Sequence, residues 1–272
     1  MSSRLPLLGC LLFGYALLYV PVLVLIGYSF NASRLVTVWG GFSTHWYTTL
    51  LGNERLIDAA LRSLKIASVS ASVAVVLGCA AAYALVRFGR FTSRRLLGAL
   101  LISPLVMPDV VIGLSLLLLF VFMQSFLGWP AGRDELTIGI AHVTLGIAYA
   151  CAIVRARLTT VDTTLEDAAA DLGASPMVTF VTITLPLLAP GLVAAWLLAF
   201  TLSLDDLVIA SFVSGPGSTT LPIHIFSSIR LGVSPQINAL ATLMVVVVAV
   251  LAVVAARLLR VRPSAATDHG NG

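Results

Sequence analysis

The chain has 272 residues, 59% hydrophobic and 10% charged, with a mean hydropathy of +1.03. Soluble domains carry about 25% charged residues, so the composition excludes a water-soluble globular domain and points to one integral membrane domain over residues 1–262. The net charge of +4 comes from positives scattered at the ends of apolar runs, which excludes a stacked nucleic-acid-binding patch.

A bilayer core needs roughly 20 apolar residues per helix. Runs that meet this lie at about 7–29, 63–86, 97–126, 136–156, 187–213 and 236–259, which predicts an all-α protein with six transmembrane helices. The first run follows Arg4 but is too long for a signal-peptide core of 7–15 residues, and no small-x-small site follows it, so it reads as an uncleaved span. Trp39, Trp46, Tyr47 and Trp129 fall outside the runs or at their ends, where interfacial aromatics are expected. Cys10, Cys79 and Cys151 lie inside spans, form no CxxC pair and read as small buried hydrophobes. His45, His142, His224 and His269 show no ligand spacing, so no metal is expected, and His142 reads as a hydrogen-bonded core residue.

Positive charge near span ends marks the cytoplasmic side. With the N-terminus inside, Arg4, the cluster Arg87, Arg90, Arg94, Arg95, and Arg155, Arg157, Arg257, Arg260, Arg262 are internal, while Arg34, Arg55, Arg62, Lys65, Arg133 and Arg230 are external. Both termini and the polar stretch 157–186 are then cytoplasmic, and the tail 263–272 is expected to be disordered.

Asp109, Asp205 and Asp206 interrupt otherwise apolar runs. An ionised carboxylate at mid-bilayer costs about 2.5–3.5 kcal/mol, so such residues face a cavity or a partner and are functional candidates by default. The competing reading makes them caps of broken helices, since Asp109 follows Pro108 and the Asp pair follows Ser203. On a continuous helix, Thr201, Ile209 and Phe212 share the face of Asp205, and Asp206 points about 100° away. Trp196 in the same run could line a path but reads better as packing against lipid or a neighbouring helix.

Between the fourth and fifth runs lies a polar island with helix grammar. Thr163 and Glu166 fit a capping box, Ala168 to Ala170 favour helix, and Gly173 fits a left-handed stop. Ser175 and Pro176 then open a second helix, and Pro186 marks a break before the fifth span. Local grammar alone leaves this island equally a docking element or a solvated connection.

The spaced set Asp167, Ala168, Ala169, Gly173, Ile183, Leu185, Pro186 resembles the "EAA" loop of ABC importer permeases, with Asp167 at the family's glutamate position and Glu166 just before it. The stretches Ser203 to Gly217, Pro104 to Asp109 and Ser234 to Thr242 are similar to the polyamine branch of that family, nearest the second permease subunit of putrescine importers, with spermidine/putrescine permeases next. The resemblance implies a type I ABC importer permease fold and an inner-membrane location. It implies a coupling helix within 157–186, carrying Glu166 with the spaced set, that seats in a cytoplasmic ATPase subunit. It also implies a second permease subunit, two ATPase subunits that bind the ATP, and an extracytoplasmic binding protein. A protonated diamine would then pass Asp109, Asp205 and Asp206, with Phe212 adding cation–π attraction. The chain's only lysine, Lys65, follows Leu64, so a Walker A loop is impossible and no catalytic residue or cofactor of its own is expected. Two other classes also use such features. An ion-coupled carrier has intramembrane acids, but no internal repeat is seen. A membrane enzyme would need HExxH, Gly-x-Ser-x-Gly or a paired nucleophile and base, none of which is present.

Overall fold

The computed structural model describes residues 4–35, 38–231 and 235–260; the expected disordered tail lies outside them. In chain order the helices are α1 Arg4–Tyr28, α2 His45–Leu51, α3 Glu54–Arg87, α4 Arg94–Val106, α5 Asp109–Leu127, α6 Glu135–Leu158, α7 Thr164–Asp171, α8 Pro176–Thr179, a π-helical segment Phe180–Thr184, α9 Leu185–Asp205, α10 Val208–Val213, α11 Leu221–Leu231 and α12 Pro235–Arg260. Among the described residues, six helical stretches are long and apolar enough to cross a membrane.

Two of the expected spans are interrupted. The run at 97–126 is two helices, because Met107 and Pro108 adopt extended backbone between α4 and α5. Proline disfavours helical geometry in the residue before it, which ends α4 there. The run at 187–213 breaks at Asp206, where the backbone is also extended. Conversely, Pro186 does not break the chain. Helical backbone is continuous from α8 through the π-helical segment into α9. Pro186 stands in the first turn of α9, where its missing N–H meets the widened turn instead of a regular ladder.

The chain forms two compact units, residues 1–59 with 224–251, and residues 60–223 with 252–272. In the first, Asn31 is 1% exposed and organises a loop: its side chain donates to Val38 O and accepts from Gly40 N, both at 2.7 Å, and its carbonyl accepts from Trp46 Nε1 at 2.6 Å. Trp46 is thus a buried anchor of this loop.

The second unit is built on close approach of α3, α6 and α9. On α3 the positions Ala67, Ala71, Ala74, Gly78 and Ala82 recur every three or four residues, forming one face of small side chains, all buried. A Cβ placed on Gly78 would lie 2.7 Å from Ala150 Cβ and 2.9 Å from Cys151 N, and one on Gly146 would lie 2.7 Å from Ala74 Cβ. Membrane helices gain association energy by such packing, because lipid supplies no hydrophobic drive between them. Cys79 and Cys151 belong to this core as buried thiols. Gly78→Leu is therefore expected to force α3 from α6. Overpacking of this kind costs about 1–3 kcal/mol, to be read as a lowered melting temperature and lower membrane abundance; an unchanged thermal midpoint would refute the close packing.

Candidate functional site

The polar island folds as the local sequence directs at its turn, and differently at its start. Gly173 adopts φ +82°. Ala174 N donates to Ala169 O at 3.0 Å and Gly173 N to Ala170 O at 2.9 Å. That pair of bonds is the glycine-terminated helix stop, and it places the orphan carbonyls of α7 in satisfied positions. Ser175 Oγ accepts from Val178 N, with Pro176 at the first position of α8, as expected.

The expected capping box between Thr163 and Glu166 does not form. Thr163 makes no side-chain cap bond. Asp162 serves the helix start instead: its Oδ1 accepts from Thr164 N at 2.9 Å, and bonds from Thr164 hold its carboxyl below the usual carboxylate range. Glu166 is drawn elsewhere by stronger partners. Its Oε2 lies 2.9 Å from Arg87 Nε, a charge contact whose N–H is out of hydrogen-bond alignment, as Nε otherwise has no bond. The aligned bond runs from Arg87 Nη2 to Glu166 Oε1 at 3.3 Å, and Thr184 Oγ1 donates to the same oxygen at 2.8 Å. With 15% and 14% side-chain exposure, this pair is shielded from solvent, so its attraction is screened less than that of a surface ion pair. Glu166 thus ties α7 to the end of α3 and to the π-helical segment. Tyr83 of α3 adds an edge contact to Phe180, with ring centroids 5.1 Å apart.

Asp167, at the family's glutamate position, is exposed and has no side-chain partner among the described residues. Ala168 is exposed, Ala169 is half-buried, and Ile183, Leu185 and Pro186 are half-buried in the π-helical segment and the start of α9. Leu172 is 89% exposed and Met177 71% exposed. These two apolar side chains flank the glycine turn and are absent from the spaced set; an apolar residue on each side of a glycine stop in a polar loop is the signal that marks them in the sequence.

The three acids lie at the ends of spans and not within them, since Asp109 opens the stretch Asp109–Leu127 and Asp205 closes Pro176–Asp205, and they separate into two kinds. Asp206 is a cap. Its Oδ1 accepts from Ile209 N at 3.2 Å and its Oδ2 from Ala210 N at 2.7 Å, satisfying two free donors at the start of α10. His142 Nε2 lies 3.1 Å from Asp206 Oδ2, and His142 Nδ1 lies 2.6 Å from Ser203 Oγ. A neutral imidazole carrying its proton on Nε2, with Ser203 donating to Nδ1, satisfies all three groups. His142 is accordingly the buried, hydrogen-bonded core residue expected, and it joins α6 to both sides of the helix break.

Asp205, the last residue of α9, and Asp109, in the first turn of α5, are both exposed, and neither has a side-chain partner among the described residues. Asp109 is not a side-chain cap; it sits where the positive end of the α5 dipole favours a carboxylate. The break at Asp206 removes the continuous face expected to carry Asp205, Ile209 and Phe212. Ile209 is fully buried, and Phe212 packs on α5, where a Cβ on Gly113 would lie 2.7 Å from its ring. Trp196 stacks on Phe200 at 5.0 Å and donates to Ser72 Oγ at 3.0 Å, a neighbour-packing role.

The family model for binding-protein-dependent transport system inner membrane components matches residues 74–262. The chain belongs to that family. Among curated members of known system, it is 54% identical to the putrescine transport system permease protein PotI of Escherichia coli K12, over 90% of this chain and 87% of the relative. It is 40% identical to the spermidine/putrescine transport system permease protein PotC of the same organism, over 90% of each chain. Among solved structures, the fold is similar to a chain of a bacterial ABC transporter involved in import of the acidic polysaccharide alginate, with a TM-score of 0.69 at 15% identity, covering 96% of this chain and 98% of that one. It is also similar to a chain of the MetNI methionine ABC transporter, with a TM-score of 0.62 at 19% identity over 76% and 95%. The six apolar helices of this family member therefore adopt the type I ABC importer permease fold, as its motifs implied.

Proposed function

We propose that this permease is the membrane subunit of an ATP-driven polyamine importer, with putrescine as its cargo ahead of spermidine. The observation that carries the reading is the 54% identity over 90% of the chain to a putrescine permease, against 40% for the spermidine/putrescine permease. The partners are a second, distinct permease subunit, two cytoplasmic ATPase subunits and an extracytoplasmic binding protein, with the complex in the bacterial inner membrane. ATP is bound and cleaved by the partners.

In this reading α7 and α8 are the docking element. Leu172 and Met177 fill an apolar cleft on the ATPase, and Asp167 lies free to pair with a cation there. When ATP binding draws the ATPases together, α7 is displaced. Glu166 carries the displacement to α3 through its shielded charge contact with Arg87 and to the segment leading into α9 through the 2.8 Å bond from Thr184. The path opens outward to the docked binding protein. A diamine leaving water loses hydration at both ammonium groups, and Asp109 and Asp205 offset that loss as it passes. Asp206 holds the helix break and does not touch cargo.

The test is uptake of radiolabelled putrescine by vesicles holding the chain with its genomic neighbours. Uptake that requires ATP and the binding protein is expected. Uptake that collapses with the proton gradient and ignores ATP would replace this reading with an ion-coupled carrier.

Orientation gives a second test. Both termini and the segment around Thr92 are cytoplasmic in this reading, and the loop holding Thr44 is external, because Arg87 to Arg95 holds four positives in nine residues. In intact cells an impermeant thiol reagent is expected to label Thr44→Cys and not Thr92→Cys, in a background lacking the native cysteines. The reverse pattern would invert the topology.

A further inference from the structure

At the α7 end of the second unit, an open groove of about 810 Å³ runs between the 88–93 turn, α4 and the last turns of α6. Four guanidinium groups line it, from Arg90, Arg94, Arg95 and Arg155, and no carboxylate does. Arg94 is committed to the protein, donating to Leu85 O at 2.9 Å and Gly89 O at 2.8 Å at the end of α3. Arg90, Arg95 and Arg155 have no side-chain partner among the described residues and are exposed. Three cations without a side-chain partner around one cavity give it a positive potential that favours an anion there. By contrast, the groove near the other end of α6 carries Asp134 and Glu135 beside Lys65, and there Lys65 is paired with Glu135 at 2.8 Å.

Apart from Thr92, the rest of the groove's lining is apolar, from Leu85, Phe91, Gly98, Ala99 and Ile102. Gly98 and Ile102 continue its floor along α4, which has no fully buried residue. A Cβ on Gly98 would meet nothing within 4 Å, so the floor is unfilled. Cations at the mouth and an empty apolar trough beyond, at the end of membrane-spanning helices, match one ligand chemistry: a phosphodiester joined to acyl chains. An acidic protein surface would match the mouth but not the trough.

We infer that this groove is a binding site for an anionic phospholipid, with the headgroup phosphate on Arg90, Arg95 and Arg155 and an acyl chain over Gly98 and Ile102. A lipid with two phosphodiesters, such as cardiolipin, matches three free guanidinium groups better than one with a single phosphate. Basic pockets between membrane helices on the cytoplasmic side suit such headgroups. The inference needs the helices to span a membrane and is independent of which cargo is carried.

Native mass spectrometry of the full chain in detergent, titrated with cardiolipin or phosphatidylcholine, tests it. One equivalent of cardiolipin is expected to bind at least tenfold more tightly than phosphatidylcholine. Arg90→Gln/Arg95→Gln/Arg155→Gln is expected to erase that preference, and the corresponding triple Lys variant to keep it within about threefold, since a phosphate accepts either cation. Gly98→Leu, which fills the trough and leaves every charge in place, is expected to weaken cardiolipin at least fivefold. Inorganic phosphate at millimolar concentration is expected not to displace the lipid; displacement would mark a free-phosphate site and overturn the inference. So would equal binding of the two lipids, or wild-type affinity in the Gln variant. A Gln variant that keeps cardiolipin but no longer assembles with its ATPase would assign the arginines to an acidic protein surface, again overturning it. Should the Gln variant not be recovered folded, wild-type cardiolipin affinity in Gly98→Leu alone is decisive against the site.

Discussion

Gly173→Val is expected to reduce ATP-driven uptake more than tenfold while leaving the subunit inserted at normal abundance. Gly173 holds φ +82°, a conformation that an L residue reaches only at roughly 1–2 kcal/mol and a β-branched one at more. Nothing lies within 4 Å of a Cβ built there, so the defect is one of backbone direction and not of crowding. A valine that abandons the left-handed turn loses the bonds from Ala174 N to Ala169 O and from Gly173 N to Ala170 O. The α8 helix then leaves α7 in another direction, and Leu172 and Met177 no longer present one surface. The spanning helices lie outside this change, which is why insertion persists. Two readings on one preparation check it, copies per membrane and ATP-dependent uptake per copy; normal uptake per copy would show that the island only connects two spans.

Asp109, Asp205 and Asp206 are expected to separate by phenotype. Asp205→Asn removes charge and keeps shape at a residue with no side-chain partner, so uptake should fall several-fold with melting temperature and basal ATPase activity unchanged. Asp109→Asn should behave likewise. Asp206→Ala should do the opposite and lower stability first. It strips a cap from the donors of Ile209 and Ala210 and leaves His142 Nε2 without its acceptor in a site where the imidazole is 5% exposed. A lost cap costs about 1 kcal/mol and a buried unsatisfied group about 1–3 kcal/mol. Thermal unfolding of each purified variant beside uptake per inserted complex makes the comparison. Unchanged uptake in both Asp205→Asn and Asp109→Asn would remove the acidic path from the mechanism.

The spans were legible because hydropathy over about 20 residues is nearly a direct reading of membrane position. Their breaks were harder. Residues 97–126 and 187–213 stay apolar across Pro108 and Asp206, so composition gives no edge, and the second break depends on a carboxylate competing for the donors of Ile209 and Ala210. The capping-box pattern at Thr163 and Glu166 was a true local signal overridden from a distance: Arg87 lies 79 positions earlier, and spacing carries no trace of that pairing. The glycine stop at Gly173 was readable because all its determinants lie within one turn. The face of alanines and glycine on α3 was equally readable, but hydropathy scoring counts alanine as merely apolar and misses that its size is what lets α6 approach.

The π-helical turn has a consequence for length. It holds one more residue per turn than the α-helix around it, and one residue is worth about 100° of rotation on an α-helix. Phe180–Thr184 therefore sets the azimuth of everything after it relative to α7 and α8. Thr184 faces Glu166, and Leu188, Gly191, Ala195 and Ala199 turn inward, only with that residue present. Deleting one residue here would shorten the chain by about 1.5 Å but dial Asp205 about a third of a turn round α9. The segment works as a phase-setting washer between α7–α8 and the helix that ends in Asp205, so it should tolerate exchange of residues far better than any change in their number.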